Sequence, residues 1–443
     1  MTVFKAYDIR GRYPEQVNED LYYKIGNSLH ILGTKKAVIG YDMRESSESL
    51  TKSIIEGMRK AGIDVIDIGL SPTPKLYHAS HDFDADTGLI ITASHNPKDD
   101  NGIKICRHNA YPVAWEDGIE QIKNAVHNFE EKVAEKEGEY RKEDYDERYL
   151  SHLRPMLDCK KTLKVVLDAG NGMGGHDIPT LLHNAENVEF TPLYCELDGR
   201  FPNHEANPLK EETLEDLKKK VLETKADIGI ATDGDADRCG FVDEKGRFIP
   251  ADSVGALLIE YYAEQGQRHF CYDLRSTKKI EEIVSSFGGE ATKTRVGHSY
   301  IKKTMRQKEA DFAVELSGHF YFRFGEDFLY DSAIKALIEV LNMLSKEEKT
   351  FSELVDKYMT YVKSPETNFH VDDKEKALES LKQAYKDAKL EEIDGITLIG
   401  EKWWANIRSS NTENILRLNF EAETQELYDK KFNEIKKFIE NLS

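Results

Sequence analysis

The chain has 443 residues, more than one hydrophobic core usually serves, so two to four domains are expected and burial does not limit stability. Its formal net charge of −20 opposes nucleic acid or an anionic membrane surface as the main partner, because the long-range field repels both; an anionic substrate must meet a locally basic cleft. No apolar stretch approaches the roughly 20 residues of a spanning helix and residues 1–5 open no leader-like segment, so a cytoplasmic, non-membrane protein is expected.

Short apolar runs at 37–40, 65–68, 163–167, 188–193, 270–272 and 313–316 read as strands between amphipathic, helix-like stretches. That alternation predicts α/β layers around mainly parallel sheets. Ahead of the first run, residues 4–11 set Tyr7 and Arg10 beside a Gly turn, where Tyr7 reads as packing and Arg10 as a cation within reach of phosphate. The run 88–91 predicts a buried strand that ends in Thr92, Ala93, Ser94, His95, Asn96 and Pro97. A serine hydroxyl is a poor nucleophile unless a neighbour takes its proton or stabilises its cargo; His95 follows directly and Lys104 comes ten positions later. Taken alone, the stretch is more simply a turn capped by Ser94 or Asn96 ahead of Pro97. The charged run 130–154 reads as a helical connection to a second unit.

In that unit, strand-like runs 226–231 and 239–242 bracket Asp233, Gly234, Asp235, Ala236, Asp237 and Arg238. Three carboxylates at alternate positions, separated by Gly and Ala, can converge on one hard cation, and oxygen ligands suit magnesium. A calcium loop would begin the same way and have Glu244 at its twelfth position, but Arg238 stands where its turn needs Gly and the flanks read as strands. A solvated acidic turn is the plain alternative. Residues 250–252 open a third unit, in which residues 295–299 start a helix carrying His298, a histidine at the lip of a cleft or a structural one. Further on, Glu315, Leu316, Ser317, Gly318 and His319 offer an acceptor and donors suited to adjacent sugar hydroxyls, although a strand-end turn with one satisfied carboxylate looks similar. A weak repeat, an apolar strand closed by Asp42, Asp168 and Asp273, suggests three related units or ordinary strand-to-helix turn chemistry.

Residues 363–365 form the expected hinge to a last domain, where the pattern becomes strand 368–371, helix 374–389, strands 396–399, 403–407 and 415–420, and helix 424–442. This predicts an α+β domain on an antiparallel sheet. Between two late strands, Arg408, Ser409, Ser410, Asn411, Thr412, Glu413 and Asn414 form either a phosphate cradle or a polar hairpin connection. The domain reading is 1–143, 144–250, 251–362 and 363–443. Five scattered cysteines read as free thiols in a reducing compartment.

The loops at 92–97, 233–238, 315–319 and 408–414, in this order, resemble those of the α-D-phosphohexomutase superfamily, and within it the phosphomannomutase/phosphoglucomutase branch. Stretches 7–11, 101–104, 169–172 and 198–208 extend the resemblance over essentially the whole chain. It implies three similar mixed α/β domains and a smaller C-terminal α+β domain around a central cleft. It also implies reversible phosphoryl transfer between the 1- and 6-positions of a mannose or glucose phosphate through phosphorylated Ser94, with a hexose 1,6-bisphosphate as intermediate and activator. A phosphoserine carries roughly −1.5 to −2 charge, so Asp233, Asp235 and Asp237 beside it require Mg²⁺, with Ser94 completing the metal set. Lys104 and His298 become candidates for moving protons, Lys104 only if its neighbours lower its pKa. Arg10 and Arg238 become catalytic cations. Tyr7, His95, Arg275, Glu315, Ser317, His319, Arg408, Ser410, Asn411, Thr412 and Arg417 become substrate contacts. The expected partners are small hexose phosphates, with neither nucleic acid nor membrane, and the expected state is a monomer.

Val314, Arg275, Val296 and Asn414 depart from the family pattern, which touches substrate preference more than the reacting groups. Leu316 favours the mannose/glucose branch over phosphoglucosamine mutase, the alternative reading. A metal-dependent phosphatase using Ser94 would want a second close-set group of His and Asp ligands, which the sequence does not display. A silent sugar-phosphate binder would not need Ser94, Lys104 and the acidic triad together.

Overall fold

The computed structural model describes residues 3–409 and 414–442. Its first three sheets share one plan. In the first, the order is Ile9–Arg12, Asp100–Arg107, Thr87–Ile91, Lys36–Tyr41, Asp64–Leu70 and Tyr140–Lys142, with Tyr111–Pro112 beside Asp100–Arg107. The strands from Thr87–Ile91 to Tyr140–Lys142 run parallel, and the first two are antiparallel. The second sheet joins Phe248–Ile249, Cys239–Asp243, Ile228–Thr232, Leu163–Asp168 and Val188–Leu193, the last three parallel. The third joins Glu290–Thr294, His269–Asp273, Phe312–Val314, Phe320–Arg323 and Leu329–Asp331, the first three parallel. Strands such as Thr87–Ile91 and Ile228–Thr232 are buried at every position, so they read in sequence as unbroken apolar runs.

In each of these sheets the last parallel strand turns back in a hairpin: after Thr87–Ile91, after Ile228–Thr232 and after Phe312–Val314. Those three connections are the loops around Ser94, the aspartates and Glu315. A fourth sheet is antiparallel apart from any parallel core, ordered Val362–Lys363, Ile415–Ala422, Trp403–Ser409, Ile396–Ile399 and Lys389–Glu391, with Thr367–His370 also on Ile415–Ala422. Its Trp403–Ser409/Ile415–Ala422 hairpin carries the fourth loop. This unit has its own core around Phe369, Leu381, Leu398, Leu418, Phe420 and Ile435, while a single apolar cluster runs through parts of the first three.

The strand-Asp repeat is a shared Asx turn. Asp42 accepts from Arg44 N at 3.0 Å, Asp168 from Gly170 N at 2.9 Å and Asp273 from Arg275 N at 2.8 Å. The expected helix over 130–154 is not formed as one element. Residues 128–139 are irregular, Tyr140–Lys142 adds an edge strand, and only Asp146–Leu153 is α-helical, followed by a 3-10 turn at Arg154–Met156. The run lacks an apolar stripe, and its backbone instead bonds to the side chain of Asn27 and to the carbonyls of Arg59 and Lys60. The helix expected at 374–389 stops at Ala384, because Lys389–Glu391 joins the fourth sheet.

Candidate functional site

The hairpin loops of the first three units meet. Thr73, opening a helix of the first unit, donates through N to the Asp235 carbonyl at 3.0 Å and through Oγ1 to Asp235 Oδ2 at 2.5 Å. Cys239 N donates to Gly318 O at 3.0 Å, and Arg238 bridges His319. Gly234 lies against Ser94: a Cβ there would stand 2.4 Å from the Ser94 carbonyl oxygen.

Ser94 is fully buried and left-handed, with φ of 51°, a conformation that costs a non-glycine residue roughly 1–3 kcal/mol and persists only where surroundings enforce it. Its Oγ donates to Asp233 Oδ2 at 2.6 Å and lies 3.3 Å from His95 Nδ1. The enforcement comes from Arg44, whose side chain is wholly enclosed. Nη2 donates to the carbonyls of Ser94 at 2.8 Å and Asn96 at 2.7 Å, Nη1 to those of Pro97 at 2.6 Å and Asp100 at 3.0 Å, and Nε to Asp42 at 3.2 Å. Arg10 steadies the loop from outside, through Asn96 Oδ1 at 2.7 Å and Asp8 at 2.8 Å.

Oxygens of Asp233, Asp235 and Asp237 lie within 4.8 Å of one another in a buried cluster. Among the described residues, Asp235 Oδ1 and Asp237 Oδ1 are buried without a hydrogen-bond partner. Burial, and then the charges of Asp235 and Asp237, push the Asp233 carboxyl well above the usual range. Burial works the same way on Asp235, but Lys104 and Thr73 overcome it and hold that carboxyl below its usual value. Such a set of unpartnered, mutually repelling hard oxygens fits a divalent cation.

Lys104 Nζ donates to Asp235 Oδ2 at 2.6 Å and also to Asp237 Oδ2. Burial would lower its pKa, but Asp235, Asp237 and Asp233 outweigh that and raise it. Arg238 stands 3.7 Å from Asp233 and 3.9 Å from Asp237. Arg238, followed by burial, holds His95 neutral. His298 is buried, 5.0 Å edge-on from Tyr7 and 6.2 Å from His319; neither ring nitrogen has a partner among the described residues, and burial followed by Lys302 holds its pKa well below the usual imidazole range.

On the third unit, Arg275 pairs with Asp273 at 2.6 Å and reaches Glu315 at 3.3 Å; Tyr321 Oη donates to Glu315 Oε2 at 2.9 Å. Ser317 Oγ is buried without a partner among the described residues. His319 faces Asp331 at 2.8 Å and Asp237 at 3.8 Å, so it stands against the loop of the aspartates. Arg408 and Arg417 converge on Glu366. Ser410, Asn411 and Thr412 lie outside the described residues. Sequence reasoning missed Arg44, Thr73, Tyr321, Asp331 and Glu366; only Arg44 left a trace, as the residue two after the first repeat Asp.

Two further His/Asp groups do form, Asp237 with His319 and Asp331, and Asp146 with His176 and Asp177. Each already holds a buried ammonium: Lys302 stands 2.9 Å from Asp331, and Lys75 stands 2.8 Å from Asp177 and bonds Asp146. Their carboxylates are charge-matched by that ammonium, as Asp235 and Asp237 are by Lys104.

Four family descriptions match along the chain: phosphoglucomutase/phosphomannomutase alpha/beta/alpha domains I, II and III at residues 1–132, 147–246 and 250–361, and the C-terminal domain at 366–437. The chain belongs to the phosphoglucomutase/phosphomannomutase family. It is 36% identical to a phosphomannomutase of Methanocaldococcus jannaschii, over 100% of this chain and 98% of that one, and 38% identical to phosphohexose mutases of Xanthomonas campestris, over 95% of each. A crystal structure of a phosphoglucomutase/phosphomannomutase family protein from Burkholderia thailandensis superposes with a TM-score of 0.91 at 28% identity, over 100% of this chain and 97% of that one. This protein is accordingly a hexose-phosphate mutase, an isomerase. Among the described residues, no helix is long and apolar enough to cross a membrane.

Proposed function

We propose that the protein interconverts the 1- and 6-phosphates of mannose, glucose or both, with Ser94 as a reusable phosphoryl carrier and a hexose 1,6-bisphosphate as intermediate. The observation that carries this reading is the 2.6 Å hydrogen bond from Ser94 Oγ to Asp233, which couples a strained, clamped serine to the acidic triad of another unit.

In the forward direction the bond between Ser94 Oγ and phosphorus breaks while the sugar O6 forms a new bond to the same phosphorus, and the O6 proton leaves. His298, whose two ring nitrogens have no partner among the described residues, and Lys104 are the groups proposed to move that proton. Arg10 and Arg238 balance charge on the transferring group. The bisphosphate then turns, and the phosphoryl group on O1 returns to Ser94. Asp233, Asp235 and Asp237, with an oxygen on Ser94, would hold Mg²⁺, which when bound offsets the negative charge gathered at the phosphoserine. Glu315 and Ser317 read the ring hydroxyls, with Tyr321 and Arg275 fixing Glu315. Arg408 and Arg417, together with Ser410, Asn411 and Thr412, hold the phosphate not in transfer. The proposed division of the chain is 1–143, 144–250, 251–362 and 363–443, and the protein works as a monomer in the cytoplasm.

Incubation with glucose 1,6-bisphosphate tests the carrier. Peptide mass mapping is expected to find one phosphoryl group on Ser94, removed by subsequent hexose 6-phosphate, and none on Ser94→Ala. Label on any other residue, or none in the wild type, would sink the assignment.

A further inference from the structure

Glu366 stands at the hinge, one residue before strand Thr367–His370. The hinge is pinned to the fourth unit, since Ser364 N donates to Phe420 O at 2.9 Å and Phe420 N to Ser364 Oγ at 3.0 Å. From there Glu366 reaches three guanidiniums. Oε2 accepts from Arg408 Nη2 at 2.9 Å and from Asn419 Nδ2 at 3.1 Å, Oε1 accepts from Arg417 Nη1 at 3.3 Å, and Arg275 Nη1 of the third unit lies 3.9 Å away.

Arg408 and Arg417 are direct cross-strand partners in the fourth hairpin, a like-charged pair that opposes itself unless an anion lies between them. Glu366 is that anion. Burial would raise its pKa, but Arg408, Asn419 and Arg275 outweigh burial and keep it ionised. Its side chain is still 27% exposed, so it sits at the rim of the cluster and not beneath it. Arg408 Nε and Arg417 Nε, by contrast, are buried without a partner among the described residues, which leaves each fork with a donor to spare.

Carboxylate and phosphate offer an arginine fork the same kind of acceptor, so Glu366 and a phosphate compete for the same Nη atoms. We propose that Glu366 is a displaceable internal counter-anion, matching Arg408 and Arg417 and tying them toward Arg275 across the hinge, whose place is taken by the phosphate of the substrate. This inference rests on the assignment of those arginines to the phosphate not in transfer. Its chemical sense is that loss of the Glu366 contacts offsets part of the gain from binding phosphate. A bisphosphate that must let go and turn around is served by a grip of limited strength, since tighter ground-state binding slows every step that breaks it.

Calorimetric titration of inorganic phosphate into the full-length protein, beside kcat and KM for glucose and mannose 1-phosphates, tests the proposal on Glu366→Gln. The expected result is phosphate binding tighter by roughly three- to tenfold, the scale of one charge-assisted contact in a partly exposed site, with KM lowered in step and kcat reduced. Glu366→Ala is expected to move affinity in the same direction and serves if the Gln variant does not fold. Unchanged or weaker phosphate binding, or a raised KM, in a folded variant overturns the proposal, because a residue that merely orients the arginines would give that result. Arg408→Gln separates the two readings. If it weakens phosphate binding while Glu366→Gln fails to tighten it, only the counter-anion is wrong; if Arg408→Gln leaves binding intact, the phosphate assignment itself fails.

Discussion

At Ser94 the hydroxyl proposed to carry the phosphoryl group is held by two residues with no chemistry of their own. Gly234 permits the close approach of the acidic loop, and Arg44 closes the serine loop from behind by satisfying four carbonyls at once. A methyl group at Gly234 has only backbone to push against, so Gly234→Ala is expected to displace the serine loop from the triad and cut kcat on the order of 10²-fold, the usual consequence of misplacing reacting groups by about 1 Å. Steady-state kinetics alongside an unchanged circular dichroism spectrum would check it; wild-type turnover would mean the loops tolerate separation. Arg44→Met removes one half of a buried ion pair and strands Asp42 with the loop carbonyls. The expected loss is about 3–5 kcal/mol in denaturant unfolding, and a loss under about 1 kcal/mol would show that the clamp is dispensable.

At the scale of elements, the loops singled out in the sequence each join two antiparallel neighbours, 92–97, 233–238 and 315–319 in the first three sheets and 408–414 between the paired strands Trp403–Ser409 and Ile415–Ala422. Their chemistry was legible because turns tolerate polar residues that strands exclude, so the clusters at 92–97, 233–238, 315–319 and 408–414 stand out from apolar flanks. The hairpins themselves were less legible, since short antiparallel strands such as Phe320–Arg323 and Leu329–Asp331 lack a period long enough to read. Nor did sequence spacing reveal the partners of Thr73, Asp331 and Glu366, which meet their neighbours only through tertiary packing. The charged run 130–154 misled because charge density resembles an exposed helix, while the run has no stripe to bury.

The packing of helix Thr73–Asp82 against Asp146–Leu153 carries its own test. His78 lies between them, its Nδ1 2.7 Å from Tyr145 Oη and its ring 4.2 Å from that of His152, and burial followed by His152 pushes its pKa down from 6.5 to about 3. The unfolded chain therefore takes up the proton first. The stabilising contribution is whole above about pH 6.5 and is lost progressively as pH falls toward about 3. On acidification into that window the thermal midpoint of the wild type is expected to fall more steeply than that of His78→Gln; parallel slopes would place the acid sensitivity elsewhere.

For the whole molecule, a net charge of −20 opposes an anionic substrate at long range, and the cations placed to meet one, Arg10, Lys104, Arg238, Arg275, Arg408 and Arg417, each stand beside a carboxylate of the protein. The buried triad Asp233, Asp235 and Asp237 carries the proposed metal dependence. Adding Mg²⁺ is expected to stabilise the protein by about 2.7 kcal/mol at a hundredfold excess over Kd, read as a raised unfolding midpoint that Asp235→Asn abolishes. Chelation is expected to remove turnover and the added stability together, and a midpoint indifferent to Mg²⁺ in the wild type would count against the site.

The account as a whole stands on Ser94 as the phosphoryl carrier. The most direct measurement is conversion of glucose 1-phosphate and mannose 1-phosphate to their 6-phosphates, with Mg²⁺ and a trace of hexose 1,6-bisphosphate, by wild type and Ser94→Ala in parallel. The expected result is turnover of at least one sugar by the wild type and a loss on the order of 10³-fold or more in the alanine variant, as for a removed covalent nucleophile. Full turnover by a folded Ser94→Ala protein would contradict it.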